Sequence, residues 1–168
     1  MPDAAFANSA LFADYDGLGL ADLVRRKEIS PSELLTSAMT RAEAVNPKIN
    51  CFAHRHYDEA RAQIASGLAQ GVFHGVPFVI KDLGIELANT VTSSGSLAFK
   101  DQMAVADSEL VLRYKRAGLV IFAKSTTPEL GRAAMGPSCR RSFRRYVLPT
   151  KWQIGHEPGG PDRSGGAS

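Results

Sequence analysis

Cysteine and long apolar runs are both scarce in this 168-residue sequence. Cys51 and Cys139 are its two cysteines and lie far apart, which excludes a disulfide framework and makes a reducing cytoplasm the simplest setting. No apolar run approaches the roughly 20 residues that a membrane-spanning helix needs. The N-terminus, M-P-D-A-A-F, lacks the basic and apolar regions of a secretory signal. We therefore expect a cytoplasmic protein with no membrane partner.

A net positive charge is also missing from most of the chain. Residues 1–131 hold 13 Lys+Arg against 15 Asp+Glu, whereas residues 132–168 hold 7 against 2. The excess lies in one cluster of arginines: Arg140, Arg141, Arg144 and Arg145. Such an arm can bind nucleic acid. Here few aromatic residues alternate with the arginines and the remainder of the chain is acidic, so we expect no nucleic-acid partner.

The N-terminal third has the periodicity of amphipathic helices. The first is predicted over Leu18–Arg26 and the second begins at Ser30-Pro31, where Ser30 and Glu33 form a capping box. We expect Asn46-Pro47 to end the second helix. A short strand over Ile49–His54 and a third helix over Tyr57–Ala69 should follow.

The central motif is Gly75–Asp82, which reads G-V-P-F-V-I-K-D. A short β-favouring apolar run bounded by Gly and Pro predicts a buried strand. Lys81, at the end of that strand, must be desolvated, paired, or directed into a cavity. Desolvation lowers the pKa of a lysine and yields a neutral amine that can act as a general base. The alternatives are that Lys81 reaches the surface or pairs with Asp82.

A second strand with polar neighbours follows. A loop containing T-V-T-S-S-G-S over Glu86–Ser96 precedes a helix that Asp107 or Ser108 caps and Gly118 follows. Leu119–Ala123 is a β-prone buried strand, after which Thr127 and Pro128 should begin another helix. Alternating strands and helices predict an α/β sandwich with polar loops at the strand ends.

Metal ligation is a weak hypothesis for this chain. His54 and His56 alternate near a predicted strand and could face one side. Two histidines without a nearby carboxylate or a third ligand do not make a metal site. We therefore predict neither a metal nor a cofactor.

Several motifs together resemble the amidase signature family. They are G-V-P-F-V-I-K-D, T-S-S-G-S and D-S-E-L-V-L-R-Y-K-R-A-G-L-V-I-F-A-K-S-T-T-P-E-L-G, preceded by S-P-S-E-L-L and N-P-K-I-N-C-F-A. The resemblance runs from about Leu18 to Gly131. It implies the N-terminal part of an α/β/α sandwich with a mixed central sheet, here incomplete. It also implies hydrolysis or transfer of amide groups by a Ser-cisSer-Lys triad, whose lysine, the general base, matches Lys81.

Beyond Gly131 the sequence departs from the family pattern. Trp152 and Gly159-Gly160 match landmarks, but Pro161-Asp162-Arg163-Ser164 replaces the expected Ser-Ser. Ser164 is thus the single candidate for the bridging serine, and a doubtful one, because a non-proline cis bond costs about 3 kcal/mol and needs a tightly fixed loop. No residue of this chain matches the nucleophilic serine or the oxyanion loop. We divide the chain into residues 1–131, the N-terminal part of an amidase domain, and residues 132–168, a divergent basic tail that is either frame-shifted or a surface loop.

Two hypotheses on function follow from the resemblance. One is a hydrolase of carbon–nitrogen bonds in small carboxamides, and the other is a non-catalytic remnant of that family, which the missing nucleophile favours. The sequence leaves open the substrate, the choice between a free amidase and an amidotransferase component, homo-oligomer formation, and whether residues 1–168 fold alone.

Overall fold

Five α-helices and three strands are the main elements of residues 11–132, the part of the chain that the computed structural model describes. Helix α1 spans Leu11–Asp14, α2 Gly17–Arg25, α3 Pro31–Ile49, α4 Tyr57–Ala65 and α5 Glu109–Arg116. Strand β1 spans Phe52–Arg55, β2 Pro77–Lys81 and β3 Val120–Ser125. Two 3-10 turns, at Leu97–Phe99 and Glu129–Gly131, complete the described elements. No described helix is both long and apolar enough to cross a bilayer.

The strands form a mixed sheet in the order β1-β3-β2. Strand β3 pairs antiparallel with β1, where His54 lies opposite Lys124, and parallel with β2, where Lys81 lies opposite Ser125. The predicted α/β class with a mixed sheet is therefore confirmed. Both predicted strands that flank the polar loops are present, each shifted by one or two residues.

Helices cover both faces of this sheet. Side chains of β3 alternate between the two faces, so neighbouring residues of β3 pack against different helices. Val120 and Phe122 pack in one apolar cluster with residues of α3 and α4, among them Leu35 and Ala60. Ile121, between them, packs instead with Ile80 and with Val111 of α5. A third apolar cluster joins α2 to residues that precede β2 and β3. The described residues thus show helix, sheet and helix layers.

The predicted capping box of α3 is confirmed. The Glu33 backbone N–H donates to Ser30 Oγ at 3.2 Å, and the Ser30 backbone N–H donates to a Glu33 carboxylate oxygen at 2.9 Å. The exposed Glu33 carboxylate has a pKa below its usual value because Ser30 donates hydrogen bonds to it. Pro31 occupies the first turn, where its missing N–H would have had no helical partner.

The predicted end of α3 at Asn46-Pro47 is wrong, since the helix continues through Pro47 to Ile49. The exit is stabilised by Asn46, whose buried side-chain oxygen accepts from the backbone N–H groups of Cys51 and Phe52 at 2.9 and 3.1 Å. Asn50 then adopts a left-handed conformation, with φ 47°, that ends the helix. Ile49 accordingly belongs to the helix, and β1 begins three residues later than predicted.

Two further predicted helices differ from the structure. Helix α4 stops at Ala65 instead of Ala69, because Gly67 turns the chain with φ 95°. The helix expected to begin at Thr127-Pro128 is a single 3-10 turn over Glu129–Gly131. Pro128 directly precedes this turn, and its side chain makes no capping hydrogen bond. Ser108 precedes α5 as predicted, but its hydroxyl makes no capping hydrogen bond.

Candidate active site

Lys81 is the last residue of β2, at the carboxyl end of a strand that runs parallel to β3. Its side chain is exposed, and its amine donates to the backbone carbonyl of Thr126 at 3.4 Å. Within residues 11–132, Lys81 therefore lies at the surface, which is one of the alternatives that the sequence left open. Polar ligands of α/β folds bind where parallel strands end, which is where this amine lies.

Asp82, the next residue, is fully buried. Its carboxylate accepts from the Ser93 backbone N–H at 3.0 Å and from the Ser93 hydroxyl. Its own backbone N–H donates to the Ser125 carbonyl at 3.0 Å. The carboxylate also lies 3.7 Å from His54 Nε2. Asp82 is thus bound to the loop that follows β2, and Lys81 and Asp82 differ completely in exposure.

Lys124 is the buried lysine of this region. It lies in the central strand with 0% exposure, and its amine donates to the Val91 carbonyl at 2.6 Å and to the Thr92 hydroxyl at 2.7 Å. Burial lowers the pKa of Lys124, while the negative charges of Asp82 and Glu86 oppose that shift. The sequence does not single out Lys124, because a lysine in A-K-S carries no local signal of burial.

The two histidines of the β1 exit lie side by side, as their spacing predicts. The rings of His54 and His56 stack with centroids 6.3 Å apart, and both Nε2 atoms are buried without a hydrogen-bond partner among residues 11–132. Burial lowers the pKa of both histidines, that of His56 to about 4, and the nearby Lys124 charge adds to each shift. Within residues 11–132 no three potential ligands are grouped around a metal position.

Acid is expected to destabilise the purified chain through His56. Since the pKa is about 4 in the folded chain and 6.5 is the ordinary value, the unfolded chain binds more protons between these limits. The contribution of neutral His56 to the free energy of unfolding is therefore fully present above about pH 6.5. That free energy falls by roughly 3 kcal/mol as the pH drops to 4. Urea unfolding at half-unit pH steps measures this slope.

A matched pair of variants identifies the responsible group. His56→Gln should remove most of this pH dependence, whatever its effect on stability at pH 7. Ile121→Val, which trims a buried apolar side chain at a cost of about 1 kcal/mol, should shift the whole curve and keep its slope. An unchanged slope in His56→Gln would assign the acid response to other groups.

The T-S-S-G-S segment packs against the second 3-10 turn. The Ser96 hydroxyl donates to a Glu129 carboxylate oxygen at 2.7 Å, and the Leu130 N–H donates to the Ser94 carbonyl at 2.8 Å. Gly95 has φ 68°, and a Cβ there would lie 2.5 Å from the Thr127 carbonyl oxygen. Ser94 and Ser96 therefore hold this segment against the neighbouring turn.

The remaining predicted site residue, Ser164, lies outside the described residues, as do Trp152, Gly159 and Gly160. Within residues 11–132 the structure therefore brings together an exposed lysine amine, a buried carboxylate and a buried lysine at the ends of two parallel strands. A lysine amine can exchange protons with a bound reactant when it is accessible. The hydrogen bond that Lys81 makes here goes to a backbone carbonyl, and not to a serine hydroxyl.

Comparison with known proteins gives a consistent assignment. The family model described as Amidase matches residues 33–168. The chain is 33% identical to the 6-aminohexanoate-cyclic-dimer hydrolase of Paenarthrobacter ureafaciens over 156 residues, which cover 91% of this chain and 30% of that protein. A second 6-aminohexanoate-cyclic-dimer hydrolase, from Pseudomonas sp. (strain NK87), is likewise 33% identical over 156 residues, 91% of this chain and 30% of that protein.

Solved structures agree with the sequence comparisons. The structure of a 6-aminohexanoate cyclic dimer hydrolase superposes with a TM-score of 0.65 at 35% identity, over 69% of this chain and 24% of that one. The chain thus spans about a third of the length of the curated relatives that it matches. With the family model matching most of its residues and the fold matching over the described part, this chain belongs to the amidase signature family.

Proposed function

We propose that this chain supplies the N-terminal part of a hydrolase that cleaves carbon–nitrogen bonds in small carboxamides, with Lys81 as the general base. The observation that carries the proposal is the position of Lys81. The G-V-P-F-V-I-K-D motif places its exposed amine at the end of a strand that is parallel to its neighbour. Family membership supports the same chemistry, since the lysine of the family's Ser-cisSer-Lys triad matches this residue.

The proposed chemistry requires three groups. A serine hydroxyl becomes an effective nucleophile when a base removes its proton, and a neutral lysine can do so through a second, bridging serine. The nucleophile attacks the amide carbon, the amine leaves with a proton, and water releases the acyl group. Lys81 would take up and return the proton, and Ser164 is the candidate for the bridging serine. No cofactor takes part in these steps.

Residues 1–168 contain no match for the nucleophile, so we expect a polypeptide of these residues alone to be inactive. We propose residues 1–131 as the part that carries the family's N-terminal elements and residues 132–168 as a divergent tail. The reducing cytoplasm remains the proposed setting on account of the two isolated cysteines.

A chimera tests whether this chain carries its share of an amidase site. Residues 18–131 would replace the corresponding segment of the Paenarthrobacter ureafaciens hydrolase, which provides the rest of the domain. Because the two chains share 33% identity and the fold agrees over the described part, we expect the chimera to fold and to hydrolyse that relative's cyclic amide. Steady-state turnover of this amide is the measurement.

Two further measurements complete that test. The 168-residue chain alone should show neither turnover nor covalent labelling by a fluorophosphonate, a reagent for activated serines. A labelled serine in that chain would contradict the missing nucleophile. A chimera that has native circular dichroism and unfolds cooperatively, yet hydrolyses nothing, would contradict the proposed function.

A further inference from the structure

One buried polar network connects the end of β2 to the end of β3. Its members are Lys124 in the central strand, Asp82 after β2, and the three-residue segment 91–93 of the loop between them. Lys124 donates to the Val91 carbonyl and to the Thr92 hydroxyl. Asp82 accepts from both donors of Ser93. The side chains of Lys124 and Asp82 therefore bind three consecutive loop residues.

The burial of these groups makes the network costly to break. Lys124 and Asp82 both have 0% exposure, and Thr92 has 7%. A buried polar group that loses its partner also loses the compensation for its desolvation, which is why such networks tend to hold one arrangement. Breaking the bond from Lys124 to Thr92 takes one of two acceptors from the buried amine and removes this donor from the buried Thr92 hydroxyl.

The network adjoins Lys81, because Asp82 is the next residue in the chain. The Asp82 N–H donates to the Ser125 carbonyl, and the Lys81 amine donates to the Thr126 carbonyl. Residues 125 and 126 directly follow Lys124 in the chain. Movement of Asp82 or of the end of β3 would therefore change where the Lys81 amine lies.

We propose that Lys124 is a positioning residue for Lys81, and that it acts by anchoring the 91–93 segment against the ends of β2 and β3. The inference rests on the proposed function of Lys81 as the base, because positioning has a catalytic meaning only for a reacting group. Lys124 itself is enclosed, so it acts through the loop and makes no contact with a substrate.

A pair of variants at Thr92 tests this anchoring in the full 168-residue chain. Thr92→Val keeps the shape of the side chain and removes the hydroxyl that accepts from Lys124, whereas Thr92→Ser keeps the hydroxyl. Lys124→Met removes the amine and keeps the length of the side chain. Amide hydrogen exchange at Asp82 and Ser93 should become about tenfold faster in Thr92→Val and Lys124→Met, since one hydrogen bond to a charged group is lost. Thr92→Ser should resemble the wild type.

Trace acetylation reports on Lys81 itself. With acetic anhydride as the probe, mass spectrometry gives the acetylation of Lys81 relative to Lys27 and Lys48, two exposed lysines that lie far before the 91–93 segment in sequence. We expect this ratio to change several-fold in Thr92→Val and Lys124→Met and to return to the wild-type value in Thr92→Ser. Ile121→Val, destabilised by about 1 kcal/mol through a change that leaves the hydrogen bonds of the network in place, should leave the ratio unchanged.

The outcomes separate this inference from the proposed function. An unchanged Lys81 ratio in both Thr92→Val and Lys124→Met would overturn the positioning role, as would an equal change in Ile121→Val. Neither result depends on hydrolysis. Failure of the proposed function would appear instead in the chimera, as turnover that persists without Lys81. The Lys81 acetylation ratio would in that case still change in Thr92→Val and Lys124→Met.

Discussion

Lys81→Met is expected to lower the turnover number of the chimera by about a thousandfold, within the range for removal of a general acid–base group. Methionine keeps the length of the side chain and lacks the amine that would accept the proton from serine. The Michaelis constant should change little, because the amine acts in the transition state more than in binding. Steady-state kinetics on the cyclic amide measure both constants.

Lys81→Arg distinguishes a base from a fixed positive charge. Arginine cannot be deprotonated in a protein, so it should fail as completely as methionine if Lys81 accepts a proton. Activity retained in Lys81→Arg would show that the charge alone is required, and activity retained in Lys81→Met would remove Lys81 from the mechanism. Lys100→Met, at an exposed lysine beside Asp101, is the control and should keep full turnover.

Gly118→Ala is expected to destabilise the purified chain by about 4 kcal/mol, from a left-handed backbone conformation and a steric clash together. Gly118 follows α5 with φ 90°, and a Cβ there would lie 2.7 Å from His74 Cα and 2.8 Å from His74 N. Both neighbours are backbone atoms, which cannot rotate away. The Gly118 carbonyl also accepts from the Gly75 N–H at 2.9 Å, so the turn before β2 packs directly on this glycine.

Gly67→Ala provides the matched control. Gly67 has nearly the same backbone angle, with φ 95°, but a Cβ there meets no atom of the described residues within 4 Å. Gly67→Ala should therefore lower the free energy of unfolding only by the cost of a left-handed backbone conformation, about 1 kcal/mol. Urea unfolding of both variants gives the difference, which isolates the clash. Equal losses in Gly67→Ala and Gly118→Ala would show that the turn before β2 moves aside.

The elements that sequence predicted well are those fixed by neighbouring residues. The capping box of α3 involves Ser30 and Glu33, three positions apart, and the strand ending at Lys81 is marked by its own apolar run between turn residues. Gly118 likewise identified the end of α5. In each case the physical cause lies within a few residues, so the local sequence pattern predicts the element.

Two features that the sequence did not predict depend on particular side-chain contacts and not on a local residue pattern. Pro47 costs α3 one hydrogen bond, yet the helix continues because Asn46 binds the residues that begin β1. The burial of Lys124 is decided by Val91 and Thr92, more than thirty positions away. Sequence marked Lys81 through a motif, but the network that adjoins it could be found only from the structure.

The strand order has a consequence for how the chain is made. Within the described residues β1 and β2 each pair only with β3, which is both the central strand and the last to be synthesised. Neither earlier strand has a partner until residue 125 has left the ribosome, and such non-local pairing is slow to form. The unpaired apolar strands would meanwhile be exposed to other chains. Translation speed and chaperone supply should therefore affect the yield of this protein more than its stability once folded.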